Sequence, residues 1–215
     1  MARGAFVAGA LASLAILCAA PGIAAASPAS CPATLSDLGV SFRRVKHRGV
    51  KVAVAIRGDL GGVTYRPYRK GPMVMSCALA VALARIGPAL TSLGIERAIY
   101  STLIKRKNVR GSHHRSKHSF GRAIDVHEFE GQKIGRLRVK DDYEQGLGTA
   151  DDCAGKPLTV RGALLRNVYC IADGSGGFSL ILTPDDNAHH YNHFHLEVEP
   201  WPAPITGGGP RDARR

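Results

Sequence analysis

Two segments of alternating polar and apolar residues constrain the fold more than any other feature of the chain. Ala123-Ile-Asp125-Val-His127 puts Ala123, Asp125 and His127 on one side of an extended strand, with Ile124 and Val126 on the other. His193-Phe-His195-Leu-Glu197-Val-Glu199 divides in the same way, Phe194, Leu196 and Val198 against His193, His195, Glu197 and Glu199. Each segment reads as a strand with one face for a core and one for polar work. If the two strands are neighbours, His118, Asp125, His193 and His195 converge. Two imidazoles on one strand face lie ~6.6 Å apart at Cα, near enough to crowd one small site.

The remaining elements follow from local signals. Residues 27–48 read as an arm of small and basic residues, and Val50 to Ile56 as a β-branched strand ended by Gly58, Gly61 and Gly62. Pro72 opens a buried helix expected over Met73 to Leu93, bent or divided at Gly87-Pro88. Further strands are expected at Ile95 to Ser101, Phe120 to Val126, Gly177 to Leu182 and His193 to Val198, with a second helix over Leu158 to Ile171. Residues 104–117 read as a basic loop and 131–157 as an irregular acidic insertion. Strands scattered among two helices without βαβ alternation predict an α+β domain, its sheet mainly antiparallel with helices packed on one face.

The ends of the chain differ from its middle. Met1 to Arg3 is a short positive start, Ala5 to Ala20 an apolar run, and Ala24-Ala25-Ala26 a small-residue cleavage pattern, so residues 1–26 read as a secretory signal peptide. The apolar run is short against the ~20 residues that span a bilayer, so no transmembrane segment is expected after its removal. Residues 27–199 then form one domain, and 200–215 a flexible basic tail. Four cysteines remain after residue 26, an even number that in an exported chain reads as two disulfides. Of the three pairings, Cys31–Cys77 and Cys153–Cys170 are favoured: the first ties the arm to the apolar helix and the second closes a short loop.

The chain of 215 residues carries 29 Lys+Arg against 17 Asp+Glu, a net charge of +12 spread over several clusters. For an exported protein, an anionic envelope polymer is a better partner than nucleic acid, which is not expected. A solvated face accounts equally well for any single cluster. Nothing suggests an oligomer, and a monomer is expected in the periplasm or outside the cell.

Imidazole and carboxylate together suit Zn²⁺, and three protein ligands leave a position for water, as in a hydrolytic site. Of the nine histidines, His113, His114, His189 and His190 are assigned to loops without a ligand role. Spacing alone does not choose between His193 and His195 as the ligand. His118, six intervening residues, Asp125 and a late His-x-His pair resemble the zinc motif of the D-alanyl-D-alanine metallopeptidases, a group that includes lysostaphin-type enzymes and the hedgehog signalling domain. The order of a Cys-bearing arm, a Cys-containing apolar helix, Ser116-x-His118-x-x-Gly121-x-Ala123-x-Asp125 and His193-Phe-His195 resembles the bacterial extensin-like C-terminal domain family over roughly residues 31–198. That resemblance implies a hedgehog-like metallopeptidase fold, with His118, Asp125 and His195 as zinc ligands and His193 beside the metal as base or transition-state stabiliser. It implies hydrolysis of peptidoglycan stem peptides or cross-links by a D-alanyl carboxypeptidase or endopeptidase; the alternative is a non-catalytic wall-binding module of the same fold. Arg106 is the candidate for the cation at the oxyanion, with Arg110 and Arg115 as rivals. Many relatives have an acidic residue before the His-x-His pair; Asn192 stands there and cannot act as a base. A carboxylate base would have to be Glu197 or Glu199.

Overall fold

A computed structural model describes Met1, residues 30–147, Cys153 and residues 155–202. The expected signal peptide, Asp151-Asp152 and most of the expected tail lie outside the described residues.

The chain opens with α1 (Cys31–Asp37), capped by the Ser30 hydroxyl on the Ala33 amide, and continues into β1 (Phe42–His47) and β2 (Val50–Ile56). The expected arm is therefore a helix and a strand: Ser30 supplies the cap, and Arg43 to His47 extend because they pair antiparallel with β2. After β3 (Thr64–Pro67) and β4 (Val74–Ser76) comes α2 (Cys77–Ser92), whose N-cap is Ser76 rather than a residue near Pro72. The Ser76 hydroxyl accepts from the Leu79 amide at 3.3 Å, and β4 is held to β2 before the helix begins.

β5 (Arg97–Thr102) leads through a long loop to a 3₁₀ turn at Lys117–Phe120 and then β6 (Ala123–Gly131). The expected irregular insertion contains β7 (Gly135–Arg138) and α3 (Val139–Asp142). Arg136 and Arg138 stand opposite Glu130 and Glu128 across the β6–β7 pair, and Leu137 and Val139 face the core. The alternation was thus present in a segment that reads as a charge cluster. The chain closes with α4 (Val160–Gly174), β8 (Leu180–Leu182) and β9 (Phe194–Glu197). In α4, Leu165, Val168, Tyr169 and Ala172 recur at helical spacing and are buried.

The fold is α+β. One sheet has the order β1-β2-β4; the other runs β3-β5-β6-β9-β8, with β7 added beside β6. β3 pairs parallel with β5 and the other pairings are antiparallel. α2 lies in the middle of the core, with Cys77 to Ala84, Ile86 and Leu90 all buried. Both expected disulfides form, Cys31–Cys77 between α1 and α2 and Cys153–Cys170 onto α4. Their sequence separations of 46 and 17 residues correspond to about 4 and about 3 kcal/mol in a chain-entropy estimate.

β6 and β9 are neighbours with Asp125 directly opposite His195. Phe194, Leu196 and Val198 enter the core, as their alternation requires.

Candidate metal centre

Asp125 sits in the middle of β6, and His195 faces it from β9. His118 arrives from the 3₁₀ turn, whose N-cap is Ser116 and whose C-cap is Gly121 in the left-handed region. All three are buried, at 0%, 7% and 7% exposure for His118, Asp125 and His195. Burial of a charged group without partners costs several kcal/mol, so the partners define the site.

Those partners have a consistent geometry. His118 donates its Nδ1–H to the Leu103 carbonyl at 3.1 Å, which turns Nε2 toward Asp125 Oδ1, 3.1 Å away. His195 places Nδ1 2.7 Å from the same oxygen, while its Nε2 meets Glu197 Oε1 at 2.8 Å. His193 donates Nδ1–H to the Asn192 side-chain oxygen at 2.9 Å, and its Nε2 lies 3.6 Å from Asp125 Oδ1. Three imidazole nitrogens from three positions thus surround one carboxylate oxygen. His118, Asp125 and His195 each offer a ligand atom within 4.8 Å of the others, and so do His190, His193 and His195.

The electrostatics follow from burial and pairing. Burial opposes ionisation of Asp125, but hydrogen bonds and charge from His118 and His195 outweigh it and hold the carboxyl well below the usual carboxylate range. Burial would lower His195 as well; its contacts with Asp125 and Glu197 reverse this and push it up to about 9. His193 has no such pair of carboxylates, so burial and the neighbouring imidazoles push it down to about 3.

The donor set fits zinc. Two buried nitrogens and a carboxylate oxygen of the right kind converge, and the far nitrogen of each ligand imidazole meets an oxygen, the outer-shell arrangement that fixes ring orientation in zinc sites.

The β6 strand adds two residues to this face. Between β5 and β6 the register slips twice: His127 is extra on β6 and Ser101 is extra on β5. The two displaced residues bond to each other, His127 Nε2 to Ser101 Oγ at 2.8 Å. The slip moves Phe129 into the core against Phe194 and leaves Glu128 beside Tyr68, whose hydroxyl donates to it at 2.8 Å. Beside the cluster lies a cleft of about 210 Å³ lined by Tyr68, His127, Glu128, Arg138, Lys140, Asp141 and Asn192. His127 packs between Tyr68 and His193 with its ring tilted to both, centroids 5.2 and 5.0 Å away.

Other expected residues fall differently. Arg106 is exposed in the 103–116 loop, and among the described residues no hydrogen bond or ion pair ties it to the cluster. Its rival Arg110 reaches His189 at 3.5 Å. Glu197 is engaged with His195, and Glu199 pairs with Lys117 and Arg122, so neither is a free base. His190, assigned to a loop without a role, packs 5.0 Å from His193 and 5.5 Å from His195. Asn187 accounts for this, because its side-chain oxygen binds the His189 amide and the His190 ring and folds the loop back onto the site. A turn residue three positions before His190 was the available sequence signal.

Residues 98–203 match a family model described as the extensin-like protein C-terminus, an interval that contains every member of the cluster. The match supports the extensin-like C-terminal family. No curated protein and no solved structure matches the chain.

Proposed function

Given an extensin-like C-terminal match that spans the whole cluster, we propose that this chain is an exported, monomeric, zinc-dependent peptidase-like protein that hydrolyses peptide bonds of peptidoglycan, in the manner of the D-alanyl-D-alanine metallopeptidases. One observation carries the reading: two buried imidazoles, each oriented by an oxygen on its far nitrogen, aim at one oxygen of a buried carboxylate. His118 Nε2, Asp125 Oδ1 and His195 Nδ1 are the ligands. When bound, zinc supplies a Lewis acid and a water of lowered pKa.

The chain's own residues do the rest. Asn192 holds the proton of His193 on Nδ1, which leaves the Nε2 lone pair facing the cluster as a hydrogen-bond acceptor beside the metal ligands. Asn192 therefore works as an orienter at the position where the resemblance implies an acid in many relatives. Tyr68, His127 and Asn192 line the adjoining cleft and position the peptide. Arg106 is the candidate cation for the oxyanion, with Arg110, which reaches His189, as its rival.

Export rests on the leader pattern and on two disulfides, which persist in oxidising compartments. Among the described residues no helix is long and apolar enough to cross a membrane.

A wall-binding module without hydrolysis is the second reading. The engagement of both Glu197 and Glu199 favours it, since neither of the two carboxylates expected as a base is left free. The two readings separate in one set of measurements. Elemental analysis of the purified protein is expected to find about one zinc per chain, lost in His118→Ala and His195→Ala while their circular dichroism is unchanged. Peptidoglycan digests, followed by mass spectrometry, are expected to release peptides with the parent and not with His193→Ala, which keeps its zinc. Zinc without release in the parent leaves the binding module, and no zinc in a folded, reconstituted parent removes the peptidase reading and leaves a metal-free binding module.

A further inference from the structure

We propose that the β1–β2 hairpin is a docking surface for a linear, soluble polyanion, separate from the metal centre. Arg43, Arg44, Lys46, Arg48 and Lys51 are all exposed on the hairpin, and none makes an ion pair with a carboxylate among the described residues. By contrast, four arginines around β6 and β7 are paired locally: Arg97, Arg136, Arg138 and Arg161 all bond to Glu or Asp. An open groove of about 420 Å³ lies along the hairpin, and its lining includes Arg44, Lys46, Arg48 and Lys51 together with Val45 and Val52.

Edge protection explains part of this charge. β1 is the outer strand of its sheet, and cations on such a strand discourage pairing with other chains. That reason does not reach Lys51, which lies on the inner strand β2, or Arg48 in the turn. At Lys46 the register slips again, one residue of β1 facing Lys51 and Val52 of β2, which brings cations from both strands to the groove.

The surface continues toward the site through one residue. Gly49 in the turn packs on Ser119, whose carbonyl would lie 2.9 Å from a Cβ at that position. The Ser119 hydroxyl holds the backbone of Lys105 and Lys107 at 3.2 and 2.8 Å. Exposed Lys105, Arg106 and Lys107 therefore extend the row of cations from the hairpin to the turn that carries His118. Charges strung along a groove, with no point of convergence, suit a chain of repeating anions better than a single small one. The hairpin lies outside the matched interval 98–203 and stands independently of the proposed hydrolysis.

Binding of labelled long-chain inorganic polyphosphate, measured against salt concentration on the full protein, tests this. The triple variant Arg44→Ala, Lys46→Ala, Lys51→Ala is expected to weaken binding roughly tenfold or more and to flatten the dependence on salt. The control triple Arg66→Ala, Arg69→Ala, Lys70→Ala removes the same charge from exposed positions elsewhere and is expected to change binding less than about twofold. Equal losses in the two triples would show that net charge alone is responsible and overturn the proposal. So would binding of phosphatidylglycerol vesicles through the hairpin without binding of polyphosphate. All side chains changed are exposed, and thermal melting checks that both triples fold. Zinc content unchanged in both keeps this result distinct from any failure of the metal reading.

Discussion

What a histidine can do at this site depends on which of its nitrogens is already committed. His118 spends Nδ1 on the Leu103 carbonyl and His195 spends Nε2 on Glu197, so their remaining nitrogens are directed at Asp125 by hydrogen bonds made elsewhere. Glu197→Gln keeps the size of the side chain and removes its charge. We expect zinc affinity to fall roughly 10–100-fold, the usual effect of losing an outer-shell partner. Competition titration with a zinc chelator measures it, and the circular dichroism of the variant is expected to match the parent. An unchanged affinity would show that the Glu197 contact does not orient His195 in the loaded protein.

At the scale of elements, the strand alternation expected over 123–127 holds where β6 pairs with β9, and it does not continue beyond His127, where β6 pairs with β5. Asp125 and Val126 keep their expected faces, but the extra residue at His127 exchanges the positions of Glu128 and Phe129. No local signal marks that slip, because it arises from the fit between two strands. The α2 helix shows a similar dependence. Pro88 cannot donate to the Ala84 carbonyl, and the turn at Gly61 fills the place: a Cβ there would lie 2.2 Å from that oxygen. Gly87 presses on the same turn from the helix side, with a Cβ position 2.4 Å from the Leu60 carbonyl and 2.5 Å from that of Gly61. Both obstacles are backbone and cannot rotate away. Gly87→Ala is expected to cost about 3 kcal/mol in urea denaturation, with zinc still bound by the fraction that folds. A cost under about 1 kcal/mol would mean the turn shifts freely.

Across the whole molecule, carboxylates join the outer elements to the core. Glu128 bonds Arg136 of β7, Asp142 bonds Arg161 of α4, and Glu199 bonds Lys117 of the 3₁₀ turn. Burial opposes ionisation of Glu128 and Asp142, but their arginines hold both below the ordinary carboxylate range. Glu199 is lowered chiefly by Lys117. Because these values are depressed in the folded state, their stabilisation is present above the unfolded values near ~4 and is lost as pH falls through the folded ones. The contribution of these carboxylates to the melting temperature is expected to hold steady from pH 7 to about 5 and to be lost below about 4. In Glu128→Gln the acid drop should be shallower; an identical profile would show that solvent screens the half-exposed Arg136 fully.

Much of this was legible in order along the chain. The α+β class and the division of each histidine strand into a core face and a polar face follow from composition and period, which are local properties; the two disulfide pairings were favoured among three by loop length and element placement, and both form. The convergence of His118, Asp125 and His195 was legible only conditionally, since period says which face a side chain takes and not which strand lies beside it. Tertiary structure decided that β6 and β9 are neighbours in register, that His190 folds back through Asn187, and that Glu197 orients a ligand while Glu199 closes an ion pair. It also decided that the cations of β7 are matched by Glu128 and Glu130 and those of the hairpin are not. The reason is the same each time: residue spacing sets direction within one element, whereas partners come from elements distant in sequence, and only packing determines which ones meet.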